Sequence, residues 1–203
     1  MKVYQVAVGP MQNFSYIVED ESTHEAIIID PSWDLDKIIQ IVEEQNLNPK
    51  YLVNTHWHDD HTRGNEELAK ALSLKIVQHS ASDLKNDMTV SDGDSIKFGC
   101  SELVVYHTPG HSKDSICLVG DGKIFSGDTL FVGNCGRVDL PGGSSRELYH
   151  SLFDVISNLD DSLIMYPGHD YGFAPTSTVG NEKITNPVMQ KISEEDFVTR
   201  MGG

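Results

Sequence analysis

Four times along this chain an apolar run ends, a few small or turn-forming residues follow, and a residue able to bind metal appears. Tyr51-Leu52-Val53 leads through Asn54-Thr55 to His56, and Leu103-Val104-Val105 through Thr108-Pro109-Gly110 to His111. Ile124-Phe125 leads through Ser126-Gly127 to Asp128, and Leu163-Ile164-Met165 through Pro167-Gly168 to His169. Short apolar runs bounded by turn residues read as strands. Strand ends that feed loops are where a rigid scaffold displays reactive groups. The chain therefore needs a fold that can gather four strand ends on one edge of its sheets.

The rest of the pattern agrees with such a fold. Val3 to Val8 and Phe14 to Val18 are β-rich runs separated by Gly9-Pro10, and Ala26 to Ile29 is a β-branched run ending at Asp30-Pro31. Leu35, Ile38, Ile39 and Val42 recur at helical spacing, with Asp34 as the expected N-cap. Further helices are predicted over residues 65–72, 146–156 and 194–201, with short strands between the first two of these, broken by Asp92-Gly93 and Asp121-Gly122. This mixture suits a layered α/β or α+β domain. A chain of 203 residues buries roughly 70% of its unfolded surface, enough for a core without disulfide staples.

His56-Trp57-His58-Asp59-Asp60-His61 is the densest chemical signal, an HxHxDH pattern. Composition alone produces it in such a chain with a chance on the order of 10⁻³. In extended backbone His56 and His58 point the same way and reach one metal. Asp60 and His61 lie where the chain turns towards a helix and face a second metal. His111, His169 and Asp128 supply the remaining imidazoles and a carboxylate able to bridge two ions. Neutral imidazoles with carboxylates suit Zn²⁺, Fe²⁺ or Mn²⁺ and leave a coordination position open for chemistry, unlike closed, thiolate-rich structural sites. Cys100, Cys117 and Cys135 contain no CxxC pair; Cys100 and Cys117 read as small buried hydrophobes. His24, His79 and His150 read as turn, surface or core-edge residues, and Asp59 as solvated. Trp57 reads as packing, and His107 as a candidate supporting neighbour of His111.

Charge narrows the partners. With 15 Lys+Arg against 31 Asp+Glu, the net charge is −16, which repels phosphate backbones and anionic membrane surfaces. Neither a nucleic acid nor a membrane is expected as a partner. No signal-peptide h-region opens the chain, so a cytoplasmic location is expected.

THWHDDH at 55–61, TPGH at 108–111, SGDTLF at 126–131 and PGH at 167–169 resemble the metallo-β-lactamase superfamily over nearly the whole chain. The resemblance implies an α/β fold, an αβ/βα four-layer sandwich with its metals on one edge. One domain over residues 1–203 is expected, without the separate C-terminal substrate domain of full-length glyoxalase II. Carried over by motif, His56, His58 and His111 hold a first metal, Asp60, His61 and His169 a second, and Asp128 bridges. GDTLFVGNCGRVDLPGG resembles the glyoxalase II and persulfide dioxygenase branch. LYHS at 148–151, YPGHDYG at 166–172, STVGNEK at 177–183, TNP at 185–187 and DFVTRMG at 196–202 resemble the persulfide dioxygenases and short glyoxalase-II-like hydrolases.

Two enzyme readings follow. The first expectation is a glyoxalase-II-like metallohydrolase. Two divalent ions, zinc first and iron or manganese otherwise, lower the pKa of a hydroxide that attacks a thioester or related acyl group, with Asp60 orienting it. The alternative is a persulfide dioxygenase in which one Fe(II) is held by His56, His111 and Asp128. A broad lactonase or β-lactamase-like hydrolase is a further alternative. The partner is a small acyl-thiol or persulfide substrate, and a homodimer is compatible with the sequence. Arg137 is the candidate clamp for a substrate carboxylate, Tyr171 the candidate hydroxyl donor, and Cys135 flanks the same loop.

Overall fold

The structure is a computed structural model, and it describes residues 1–202. Twelve strands form two six-stranded sheets. The first sheet carries β1 (Lys2–Val8), β2 (Asn13–Glu19), β3 (Glu25–Ile29), β4 (Asn48–Val53), β5 (Lys75–His79) and β6 (Met88–Val90) in chain order. The second carries β7 (Ser95–Phe98), β8 (Ser101–His107), β9 (Ile116–Gly120), β10 (Lys123–Gly127), β11 (Ile164–Pro167) and β12 (Ser177–Thr178), also in chain order. Strands β3 to β6 pair in parallel, as do β10 and β11; the other pairs are antiparallel.

Alternation along the strands builds three apolar layers. On β3, Ile27 and Ile29 face the other sheet, with Phe14, Tyr16, Phe98, Leu103 and Phe125 in the same core. Ala26 and Ile28 face outward onto α1 (Leu35–Glu44) and α3 (Asn65–Leu72), through Ile38, Val42 and Leu68. The outer face of the second sheet presents Cys117, Ile124 and Met165 to Leu148, Leu152 and Ile156, and to Val179 and Phe197. Strands buried on both faces read as unbroken apolar runs, as Ala26 to Ile29 does. The order helix, sheet, sheet, helix is the expected four-layer sandwich.

Most helix expectations hold and several details change. The stretch expected as one helix over 146–156 is α4 (Ser145–His150) running into a π turn (Ser151–Val155) and a 3₁₀ turn (Ile156–Asn158). Asp34 does precede α1, but at φ 52° it is left-handed and its carboxylate makes no cap bond. It instead accepts from the Gly9 amide at 3.1 Å and from Lys37 at 3.0 Å, contacts that tie the β1–β2 hairpin to α1. True N-caps are Ser144, Thr178 and Ser193, each accepting from the backbone three residues on. Two helices were not anticipated as such: α2 (Asp59–Thr62), a single turn, and α5 (Val179–Thr185); α6 (Glu194–Arg200) completes the set. Cys100 is exposed, contrary to expectation, because it sits in the turn between β7 and β8; Cys117 is buried as expected. Among the described residues no helix is long and apolar enough to cross a membrane.

Candidate metal centre

Parallel pairing explains where the chemistry collects. The C-terminal ends of β3 and β4, and of β10 and β11, open on one edge of the sandwich, as ligand sites of open sheets do. Thr55 O accepts from the Ile116 amide at 2.8 Å, and Gly168 O accepts from the Phe14 amide at 2.9 Å, so backbone bonds join the two sheets there. Gly168 bonds its amide to Gly127 O at 2.8 Å. A Cβ at position 168 would lie 2.2 Å from Asp128 Oδ1, so only glycine lets the strand carrying His169 come this close.

All seven expected metal-binding residues meet at this edge. The ligand atoms of His56, His58 and His111 lie within 4.8 Å of one another, as do those of Asp60, His61 and His169, and of His56, His61 and Asp128. Asp128 stands between the groups, with Oδ1 3.4 Å from His61 Nε2 and Oδ2 3.5 Å from His111 Nε2 and 3.3 Å from His169 Nε2. Asp60 Oδ2 lies 3.4 Å from His61 Nε2 and 3.3 Å from His169 Nε2, and those two nitrogens are 3.2 Å apart. Two atoms bound to one tetrahedral ion at about 2.05 Å sit about 3.3 Å from each other. The second triad already has that spacing.

Hydrogen bonds on the far side of each ring decide which nitrogen is bare. His111 Nδ1 donates to Arg137 O at 2.7 Å, and His169 Nδ1 to Met11 O at 2.9 Å. His61 Nδ1 donates to Asp30 Oδ2 at 3.1 Å. The Thr55 hydroxyl gives its one hydrogen to Asp30 Oδ2 at 2.6 Å, so it accepts from His56 Nδ1 at 3.1 Å. Each of these four rings thus turns Nε2 towards the cluster. His58 differs: its Nδ1 is 2.8 Å from His111 Nε2. Asp30 thereby orients one ring of each triad, and Asn13 Nδ2 donates to Asp60 Oδ2 at 3.0 Å. Neither residue was singled out from sequence. Asp30 did carry a signal, since it follows the apolar run 26–29 just as Asp128 follows its own.

The fit to a metal rests on atoms left without partners. His56 Nε2 and Asp128 Oδ1 are buried and make no hydrogen bond, and burying such groups unpaired costs about 1–3 kcal/mol each. Ring nitrogens that face one another, as in His58–His111 and His61–His169, are likewise the arrangement of ligands around a shared cation. The residues present fit a transition-metal ion.

Electrostatics divides the cluster. Burial, followed by the charge of His61, pushes His56 well below the ordinary histidine range, and burial with His111 brings His58 down to about 4. Burial is the largest influence on His61 and His169 and opposes their charge, but Asp128 and Asp60 together, with Asp30 at His61, outweigh it, so both are raised, His169 to about 9. For Asp60, burial is overcome by hydrogen bonds from His169 and His61; for Asp128, by the charges of His61 and His169. Both stay well below the usual carboxylate range.

The cluster opens into a cavity of about 430 Å³ whose walls include Met11, Phe131, Cys135, Arg137, Leu140 and Tyr171. Tyr171 is half exposed and stacks on His169, ring centroids 4.4 Å apart. Burial, then the Asp128 and Asp60 charges, raises its hydroxyl pKa. Arg137 lines the cavity, but its guanidinium is forked onto Asp139, with both bonds at 2.6 Å. His107 does not support the cluster: it stacks on His79 at 4.0 Å and bonds Lys113 O. Asp59 is solvated beside Arg63, and Trp57 packs against His58.

Comparison with known proteins follows this geometry. Residues 8–169 match the family described as the Metallo-beta-lactamase superfamily. The mitochondrial persulfide dioxygenase ETHE1 of Homo sapiens is 36% identical over 93% of this chain and 76% of its own. A hydroxyacylglutathione hydrolase of Tolumonas auensis is 36% identical over 83% of this chain and 66% of its own. The crystal structure of ETHE1 from Myxococcus xanthus superposes with a TM-score of 0.95 at 31% identity, covering 100% of this chain and 91% of that one.

Proposed function

The chain belongs to the metallo-β-lactamase superfamily, and from that premise we propose that it is a persulfide dioxygenase. In this reading one ferrous ion is held by His56, His111 and Asp128, and the substrates are O₂ and a small thiol persulfide. The observation that carries it is the likeness to ETHE1, which spans the whole chain with a TM-score of 0.95 and includes the loop that walls the cavity. Thioester hydrolysis came first in the sequence reading; this likeness supports the dioxygenase better.

When bound, iron supplies the redox chemistry that O₂ needs and that zinc lacks. The chain's own residues do the rest. Thr55 and the Arg137 carbonyl hold the His56 and His111 rings with Nε2 inward. Asp60, His61 and His169 form a polar wall beside the ligands, tied to Asn13 and to the Met11 carbonyl. Met11, Phe131 and Leu140 line the cavity with apolar surface that limits water around the reacting sulfur. Three free cysteines suit a reducing compartment such as the cytoplasm.

A second reading, a two-metal hydrolase of acyl-thiols, is supported by the complete Asp60–His61–His169 triad. One experiment separates them. Protein loaded with Fe(II) and protein loaded with Zn(II) are each assayed for O₂ uptake with a thiol persulfide and for thioester cleavage. Persulfide-dependent O₂ uptake at one iron per chain is expected. Thioester cleavage by the zinc form, with no O₂ uptake by the iron form, overturns the proposal in favour of the hydrolase.

A further inference from the structure

The motifs STVGNEK and TNP near the end of the chain carry no ligand, yet they contain Glu182 and Asn186, two polar residues with no exposed surface. Thr178 caps α5 by accepting from the Asn181 amide, and Pro187 ends it, since the residue before a proline is driven out of the helical region. Asn186 accordingly stands at the C-cap with φ −74° and ψ 121°. Glu182, one turn earlier, lies beside it.

Both side chains grip the same turn. Residues 131–134 close on themselves through a Phe131–Asn134 bridge, with Gly133 at φ +77°, the conformation a tight turn requires of its third residue. Glu182 Oε2 accepts from the Gly133 amide at 2.8 Å and from Asn186 Nδ2 at 2.9 Å. Asn186 Nδ2 also donates to Phe131 O at 3.2 Å and Asn134 O at 3.1 Å. The Glu182 carboxylate has no cationic partner in this network.

The gripped turn reaches the metal centre on two sides. The Phe131 ring stands edge-on to His169, centroids 5.6 Å apart, and to Tyr171 at 5.5 Å. A few residues on, Arg137 O holds His111 Nδ1. We propose that Glu182 and Asn186 are positioning residues for the reaction centre. From α5 they fix the 131–137 segment, and through it the Phe131 wall beside His169 and the carbonyl that aims His111. The kinetic arm of the test rests on the dioxygenase reading; the other two arms do not.

The test compares Glu182→Ala, Glu182→Gln and the parent in the full chain. Three quantities are measured: hydrogen exchange over residues 131–137, Fe(II) affinity of metal-free protein under anaerobic titration, and kcat and KM for O₂ uptake with a thiol persulfide. Glu182→Ala is expected to speed exchange at Gly133 and its neighbours, weaken Fe(II) binding on the order of 10-fold, and raise KM more than it lowers kcat. Both strong bonds fall on one oxygen, so Glu182→Gln, which keeps an oxygen there, is expected to restore all three. If Glu182→Ala does not fold, Asn186→Ala carries the same expectations. Parent-like exchange and Fe(II) affinity in the alanine variant, whatever its melting temperature, overturn the proposal, as does a glutamine variant as impaired as the alanine one. Absence of O₂ uptake in every variant overturns the dioxygenase reading and leaves the exchange and titration arms to decide this one.

Discussion

The two halves of the candidate metal centre are both rich in histidine and are pushed in opposite directions of protonation. His56 and His58 are driven neutral by burial and by one another's neighbours. His61 and His169, a few ångströms away, are held protonated by Asp128, Asp60 and Asp30. In the first half His56 Nε2 and His58 Nε2 are buried and make no hydrogen bond. The second half satisfies its own carboxylates with protons, so an ion entering it must displace those protons. Three histidines on one side and Asp60 with two on the other do not make equivalent sites, and the difference favours a form loaded first, or only, at the His56 half.

The largest effect that tests this contrast comes from removing one ring on each side. His56→Ala is expected to lose its iron and to drop O₂ uptake to the detection limit. His169→Ala is expected to keep about one iron per chain and measurable uptake. Equal loss in both, read by metal analysis and oxygen electrode, breaks the contrast. Asp30→Asn sits between the halves, because its carboxylate orients His61 directly and His56 through Thr55. It should weaken both first and second metal equivalents by about 10–100-fold; weakening of one alone would show that the halves are held independently.

Proton linkage sharpens the comparison next. His169 is raised from an unfolded value near 6.5 to about 9. Its charge therefore stabilises the metal-free fold fully below pH 6.5, and that contribution is lost as pH rises through 9. Zn(II) affinity at the second half should rise up to about tenfold per pH unit between pH 6.5 and 9 for each proton displaced. At the first half, His56 and His58, both lowered, contribute no such proton release in that range. Titration calorimetry in two buffers of different ionisation heat reads the protons released. The smallest effect belongs to Arg137→Ala. The guanidinium is exposed and already forked onto Asp139, so KM should rise only about two- to fivefold with kcat little changed.

What could be read from the chain follows a physical divide. The four strand-end residues were legible because short apolar runs and turn residues are local signals, and HxHxDH is too improbable to be incidental. The layers were legible for the same reason, from runs such as Ala26 to Ile29. Contacts across the fold were not. Nothing local says that Asp30 reaches His61 thirty-one residues on, that Asp34 abandons its cap for the Gly9 amide, or that Glu182 meets Gly133. Arg137 was read as a clamp because its pairing with Asp139 depends on how the loop turns. The seven candidate ligands came from pattern and from the family resemblance; the hydrogen bonds that aim them came only from the tertiary structure.

The parallel pairing of β10 with β11 has a consequence for what this chain can become. Asp128 and His169 are held at their mutual distance by the ladder that sets Lys123 opposite Ile164 and Gly127 opposite Pro167, not by the thirty-odd residues that join the two strands. Side chains along that connection can therefore change while Asp128 and His169 keep their places, although its backbone at Arg137 stays tied to the centre through His111. Variation in which molecules are admitted can accumulate in its cavity-facing side chains, such as Arg137 and Leu140, while the sheet beneath carries Asp128 and His169 forward in place.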